Sequence, residues 1–239
     1  MKKAATYLVF VLLITSLVFL YSFSSVKNYN KKIKKVEVEF AEGSNGFLTQ
    51  EMVNKLLIQN NAALKNQAKS VIDLQELEHA VLLNPYIESA TVFFTIDGVL
   101  KTIVKQRTPI ARINTVNSFY YIDKHGFKVP LSENYSARVM LITGTIDEEN
   151  LQEFTRFVNV ILADDFLKKE IIGIHKTQEN EFILSVRSGQ YKIEFGSLEK
   201  TNVKFKKLKA FYNKAFVDKT IEQYKTINLK YHNQVVCAK

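Results

Sequence analysis

Much of what would open this chain of 239 residues to common chemistries is missing from it. It has one cysteine, Cys237, so no disulfide can close within the chain, and the redox compartment cannot be read from cysteine pairing. Nothing around Cys237 matches a cysteine-protease signature, and it reads as a small hydrophobe on the last strand. Three prolines and eight glycines leave no room for a long disordered linker. The four histidines, His79, His125, His175 and His232, lie too far apart for the local spacings of the common zinc motifs, so no metal site is expected. There is no phosphate-cradling glycine motif, no Gly-x-Ser-x-Gly elbow and no Ser-x-x-Lys; Ser132-Glu133-Asn134 only superficially matches Ser-Asp-Asn. The paired acids Asp164-Asp165 and Glu148-Glu149 fall beside predicted helix ends, where solvated end charges explain them. We therefore expect no catalytic residue, no cofactor and no small-molecule substrate.

Positive charge is plentiful, with a formal net charge of +9, but it is carried mostly by scattered lysines. No nucleic-acid module with clustered arginine or stacking aromatics is recognisable, so nucleic acid is not an expected partner. A basic helix over about 200–216 places Lys200, Lys204, Lys207 and Lys214 near one face; a solvated outer face is preferred there over an anion site. No repeat or low-complexity tract appears.

What the chain does have is one long hydrophobic run. No charged residue occurs between Ala4 and Val26, and at about 1.5 Å per helical residue that run spans roughly 34 Å, enough for a hydrocarbon core of about 30 Å. Lys2 and Lys3 resemble the n-region of a cleaved signal, but the run exceeds an ordinary h-region and no Ala-x-Ala follows. Residues 1–3 are read as a tail, 4–25 as a transmembrane helix and 26–34 as a basic linker. Lys27, Lys31, Lys32, Lys34 and Lys35 outnumber Lys2 and Lys3, so counting alone places the body in the cytoplasm.

Beyond the anchor, residues 35–40 alternate, with Val36, Val38 and Phe40 on one face. Thr49 is an N-cap with Glu51 in the first turn and Leu48 stapled to Val53; Met52, Val53, Leu56 and Leu57 form the predicted buried stripe. Asp73 and Glu76 form a second capping pair, with Leu74, Leu77 and Val81 inward and Pro85 ending the helix near Asn84. Residues 87–96 and 99–106 are strands joined by Asp97-Gly98. Residues 35–107 thus read strand, helix, helix, strand, strand.

The second region, 108–239, is a mixed β-rich domain with helices on its sheet. Strands are predicted at 119–122, 127–129, 138–143 and 171–175, and a helix capped by Asp147 carries Leu151, Phe154, Val158 and Ile161. Residues 181–187 and 191–195 flank Ser188-Gly189, with Phe182, Leu184, Val186, Tyr191, Ile193 and Phe195 inward. The basic helix turns Phe205, Leu208, Phe211, Tyr212 and Ala215 to the core. A last strand from Thr226 places Ile227, Leu229 and Tyr231 on one face and Asn228 and Lys230 on the other.

This order, together with Asn84-Pro85-Tyr86-Ile87-Glu88, Val104-Lys105-Gln106-Arg107-Thr108-Pro109, Tyr121-Ile122-Asp123-Lys124-His125-Gly126 and the closing run from Ile227 to Val236, resembles the bacterial cell-division family FtsQ/DivIB. The resemblance implies an α+β fold with a POTRA-like βααββ unit and a following β domain. It implies a non-enzymatic divisome scaffold of the inner membrane, at the septum, with its N-terminus in the cytoplasm and its body in the periplasm. The implied partners are FtsB-like and FtsL-like division proteins and the septal peptidoglycan synthase. The partner-binding residues expected on this basis are Thr226, Asn228, Lys230, Tyr231, His232, Asn233, Gln234, Val235 and Val236, in a terminal strand at a sheet edge. A POTRA-containing envelope assembly or secretion factor would be expected to show several such units or a barrel. A membrane-tethered peptidoglycan enzyme would need polar residues converging in a cleft.

Overall fold

The charge-free run becomes one helix, α1 (Lys2–Tyr29), in the computed structural model, which describes residues 2–29, 31–43, 45–60, 68–115, 118–146, 151–232 and 234–239. Its apolar side chains from Tyr7 to Tyr29 are exposed, and the helix is long and apolar enough to cross a membrane. Thr15 satisfies its hydroxyl internally, bonding the carbonyls of Val11 at 3.0 Å and Leu12 at 2.9 Å. The chain divides into two compact units, Met1–Gln106 and Arg107–Lys239.

In the first unit, β1 (Lys35–Phe40), α2 (Gln50–Asn60), α3 (Leu74–Leu82), β2 (Ile87–Phe94) and β3 (Val99–Gln106) follow the predicted order. The sheet order is β1-β3-β2, with β1 parallel and β2 antiparallel to β3. Parallel β1 and β3 need a crossover, and the two helices supply it. Both helix starts are capped: Thr49 Oγ1 accepts from Met52 N at 3.3 Å, and Asp73 Oδ1 accepts from Gln75 N at 2.9 Å and Glu76 N at 3.1 Å. Val53, Leu57, Leu77 and Val81 pack on Val38, Val92, Leu100 and Val104. The buried Gln106 amide bonds Leu48 twice, accepting from its N–H at 3.0 Å and donating to its carbonyl at 3.2 Å, which locks the loop before α2 to the end of β3.

Three expectations change here. Met52 is 39% exposed, because the stripe that meets the sheet is the i, i+4 pair Val53 and Leu57, and Leu56 is half-buried. The hairpin closes on three residues, Ile96, Asp97 and Gly98: Thr95 N donates to Val99 O at 2.9 Å and Gly98 sits at φ +90°, so Ile96 leaves the predicted strand. Residues 31–34 are no free linker. Ile33 is completely buried in the core, Lys32 bridges to Ala68, Lys69 N donates to Lys31 O at 3.0 Å and Lys34 N donates to Gly98 O at 3.0 Å. The lysine run concealed a core residue.

The second unit is a nine-stranded mixed sheet of order β12-β11-β10-β9-β8-β7-β4-β5-β6, with β4 (Pro109–Asn114), β5 (Phe119–Asp123), β6 (Lys128–Pro130), β7 (Met140–Gly144), β8 (Ile171–Lys176), β9 (Phe182–Val186), β10 (Lys192–Gly196), β11 (Thr226–Asn228) and β12 (Val236–Ala238). Helices α4 (Leu151–Leu162), α5 (Asp165–Glu170) and α6 (Thr201–Val217) contribute to one core with it. Phe157 links the layers, lying 5.7 Å from Phe182, 5.1 Å from Phe195 and 5.8 Å from Phe205 between ring centroids. All six inward positions predicted for β9 and β10 are buried. Strand β4 and helix α5 are additions to the sequence reading. Pro109 is acceptable as the first residue of a strand, and Ala111 is too small to stand out in the alternation of β4. Helix α5 is one short turn-and-a-half capped by Asp164, whose Oδ1 accepts from Phe166 N and Leu167 N at 3.1 Å. The expected cap Asp147 and the acids Glu148 and Glu149 lie outside the described residues.

Candidate docking edge

A sheet of this kind has two edges, and they differ. At one, β6 is Lys128, Val129 and Pro130; proline has no N–H to offer a further strand and the lysine adds charge. The turn feeding β6 is held by the buried Asp123, whose Oδ1 accepts from His125 N and Phe127 N at 2.9 Å while Oδ2 meets Arg107 Nη1 at 2.7 Å. The Arg107 guanidinium also lies over the Phe127 ring at 4.4 Å.

At the other edge is β12, made of Val236, Cys237 and Ala238, with neither proline nor charge. Among the described residues no strand lies on its outer side. Cys237 turns inward onto the core, where burial pushes its thiol pKa up, and Val235 packs beside it. Val236 is exposed.

The expectation of one continuous terminal strand is corrected here. Strand β11 is interior: Thr226, Ile227 and Asn228 pair in parallel with Lys192, Ile193 and Glu194, and antiparallel with Ala238, Cys237 and Val236. The chain then bends. Asn228 Oδ1 accepts from Lys230 N at 2.9 Å, while its Nδ2 donates to Glu194 Oε2 at 2.5 Å. The Lys230 N–H is therefore consumed inside the chain and is not offered to a partner strand. Lys230 Nζ pairs with Glu181, and its stem crosses Gly196, where a Cβ would sit 2.9 Å from Lys230 Cγ. Tyr231 is 51% exposed rather than sharing the inner face of Ile227 and Leu229. His232 and Gln234 are exposed, Val235 is half-buried and Asn233 lies outside the described residues.

The basic helix serves this bend. Lys207 Nζ donates to Tyr231 O at 2.5 Å and to Leu229 O at 3.3 Å, and Lys204 Nζ donates to Ser197 O at 2.6 Å over the Phe195 ring. Burial pulls the Lys204 pKa down. Neither lysine belongs to a solvated outer face, which corrects that expectation. A cavity of about 240 Å³ opens beside the bend, lined by Lys200, Lys204, Lys207, Lys230, Tyr231 and His232 among others. Helical spacing groups Lys200, Lys204 and Lys207 on one face, but no local pattern shows that they meet the bend at Lys230–His232.

One buried polar cluster lies elsewhere. Glu170 Oε1 accepts from Ser188 and from Tyr212 at 3.2 Å, and Tyr191, whose hydroxyl lies 3.3 Å from the same oxygen, donates its one proton to Tyr212 at 2.9 Å. Burial, the largest cause, drives the Tyr212 pKa up. With hydroxyl donors from Ser188 and Tyr212 on one oxygen, Glu170 pins the end of α5 to the β9–β10 turn and to α6. Among the described residues no group of three histidine, cysteine or acidic side chains is placed to hold a metal ion.

The comparisons with known proteins concern both units. The family profile described as FtsQ/DivIB, C-terminal related, matches residues 108–238, and a POTRA-like domain profile matches residues 31–105. Among solved structures, the major extracytoplasmic domain of the trans isomer of the bacterial cell-division protein DivIB from Geobacillus stearothermophilus is similar at 18% identity, over 36% of this chain and 76% of that one, with a TM-score of 0.29. No curated protein matches. With the C-terminal family profile spanning more than half its length and the POTRA-like profile ahead of it, the chain belongs to the FtsQ/DivIB family of cell-division proteins.

Proposed function

We propose that this protein is a non-enzymatic scaffold of the division septum that recruits an FtsB-like partner, and with it an FtsL-like one, by β-strand addition to β12. The observation that carries the reading is the contrast between the two sheet edges: β6 is closed by Pro130, whereas β12 presents an unblocked backbone of Val236, Cys237 and Ala238. Pairing there supplies affinity through main-chain bonds. The outward Val236, with Asn228 and Thr226 behind it, and the exposed Tyr231, His232 and Gln234 select the partner. The lysine-lined cavity beside the bend favours a partner segment that carries a carboxylate next to its pairing strand. Asn233 and Val235 stay in the proposed contact region by position. The body acts on the extracytoplasmic side, anchored by a retained α1, and the septal peptidoglycan synthase is a further partner.

Deleting residues 236–239 tests this, because it removes β12 and leaves β11 paired to β10. The truncated protein, shown folded by circular dichroism, should bind the FtsB-like ectodomain at least about 30-fold more weakly, the size of a hot-spot loss. Unchanged affinity would place recognition elsewhere. A reporter fused after Lys239 that is active only in the cytoplasm would refute the proposed orientation, and a mature N-terminus near Ser25 would refute retention of the anchor.

A further inference from the structure

The end of α1 and the hairpin tip of the first unit enclose a cleft of about 710 Å³, lined by Tyr21, Lys27 and Lys31 on one side and Lys69, Phe94 and Ile96 on the other, among others. One bond joins the two sides and two further contacts tie Lys69 to the hairpin. Lys31 Nζ donates to Ile96 O at 2.5 Å, Lys69 Nζ donates to Thr95 O at 3.0 Å, and Lys69 also lies 5.1 Å from the Phe94 ring centroid. Residue 30 alone separates the end of α1 from residues that are bonded into the folded unit. A helix whose apolar run ends at Val26 leaves Lys27 at the headgroup level, and the tip bonded to Lys31 is carried to the same level.

At that tip Ile96 is 88% exposed; it lines the cleft with Lys27, Lys31 and Lys69, while Lys32 and Lys34 approach the neighbouring Gly98 and Asp97 is the carboxylate of the turn. Among the described residues it is the most exposed large hydrophobic side chain. An anionic bilayer surface satisfies both features, because ammonium groups meet lipid phosphates while the apolar tip enters the acyl boundary. We propose that the cleft holds the headgroup of an anionic phospholipid and that Ile96 inserts into the interface, so that the POTRA-like unit lies docked on the membrane instead of swinging from it. This inference rests on α1 spanning the bilayer.

The test uses the full chain reconstituted in phosphatidylcholine bilayers with and without phosphatidylglycerol, in a C237A background so that one introduced cysteine takes an environment-sensitive fluorophore. Label positions are I96C at the tip, L12C within α1 and L83C at the end of α3, just before the far end of β2, a strand that runs about 25 Å back from the tip. The I96C label should be quenched by shallow spin-labelled lipid in bilayers containing phosphatidylglycerol, and the L83C label should not. Each lysine near an anionic surface contributes about fivefold, so K32Q/K34Q should lower the docked-to-undocked ratio about 25-fold. Both side chains are exposed, and the backbone bonds of these residues survive the change. Quenching of L12C with none at I96C would overturn the inference and leave the anchor standing. Absence of quenching at L12C would overturn the anchor and the inference with it. Equal quenching of I96C without phosphatidylglycerol would overturn the selection of anionic lipid.

Discussion

The two edges of the nine-stranded sheet use opposite means. At the β6 edge a buried ion pair, a cation over a ring and a terminal proline fix a short strand and close it. At the β12 edge an equally short strand rests on the core through Cys237 and Val235 and is held by backbone pairing, with lysine-to-carbonyl bonds steadying the preceding bend. An edge guarded by proline and charge is protected from other chains; an edge left open in the same sheet is the place for one. Side-chain electrostatics stabilise the first, and the second carries the proposed partner contact.

The contrast can be broken from its rigid side. Asp123→Ala removes the acceptor of two backbone N–H groups and strands Arg107, so it should cost roughly 3–5 kcal/mol in urea unfolding. The part that remains folded should bind the FtsB-like partner as before. Ile227→Ala empties a fully buried position under β11 and should cost about 2–5 kcal/mol. Unlike the first variant, it should also weaken partner binding in the folded fraction, because β12 pairs directly with β11. Lys128→Val with Pro130→Val should turn the closed edge into an open one, with little change in stability but concentration-dependent self-association by analytical ultracentrifugation. A strictly monomeric double variant would show that proline and charge are not what guards β6.

The smallest expected effect is at α5. The bond from Lys209, followed by the N–H of Leu167, holds the Asp164 carboxyl below the usual aspartate range. Its contribution is therefore present above an unfolded pKa of about 3.9 and is lost as pH falls through the lower folded value. Asp164→Asn keeps a good cap, so the loss at neutral pH should stay below about 1 kcal/mol, and the acid limb of the melting profile should flatten.

Much of this was legible in the sequence where local chemistry repeats. The caps Thr49 and Asp73, the alternation of Phe182, Leu184 and Val186, and the α+β order all appear in the structure as read. The misses have particular causes. Ile33 sits among lysines whose side chains point to solvent while its own enters the core, and a charge run conceals one inward residue. Ile227, Leu229 and Tyr231 have the spacing of a strand, but the Asn228 side chain captures the N–H of Lys230 and turns the chain, which no alternation pattern reports. A terminal strand at a sheet edge was expected, but β12 has only three residues, too few for a period to show, so its separation from the interior β11 became visible only in the sheet order.

Amide hydrogen exchange on the full chain in bilayers, with and without the FtsB-like partner, locates the edge at which a partner strand pairs. New protection is expected across Val236–Ala238 and the adjacent 230–235 segment, with Lys128–Pro130 unchanged. Protection that appears at β6, or anywhere but β12 and its bend, would contradict that placement.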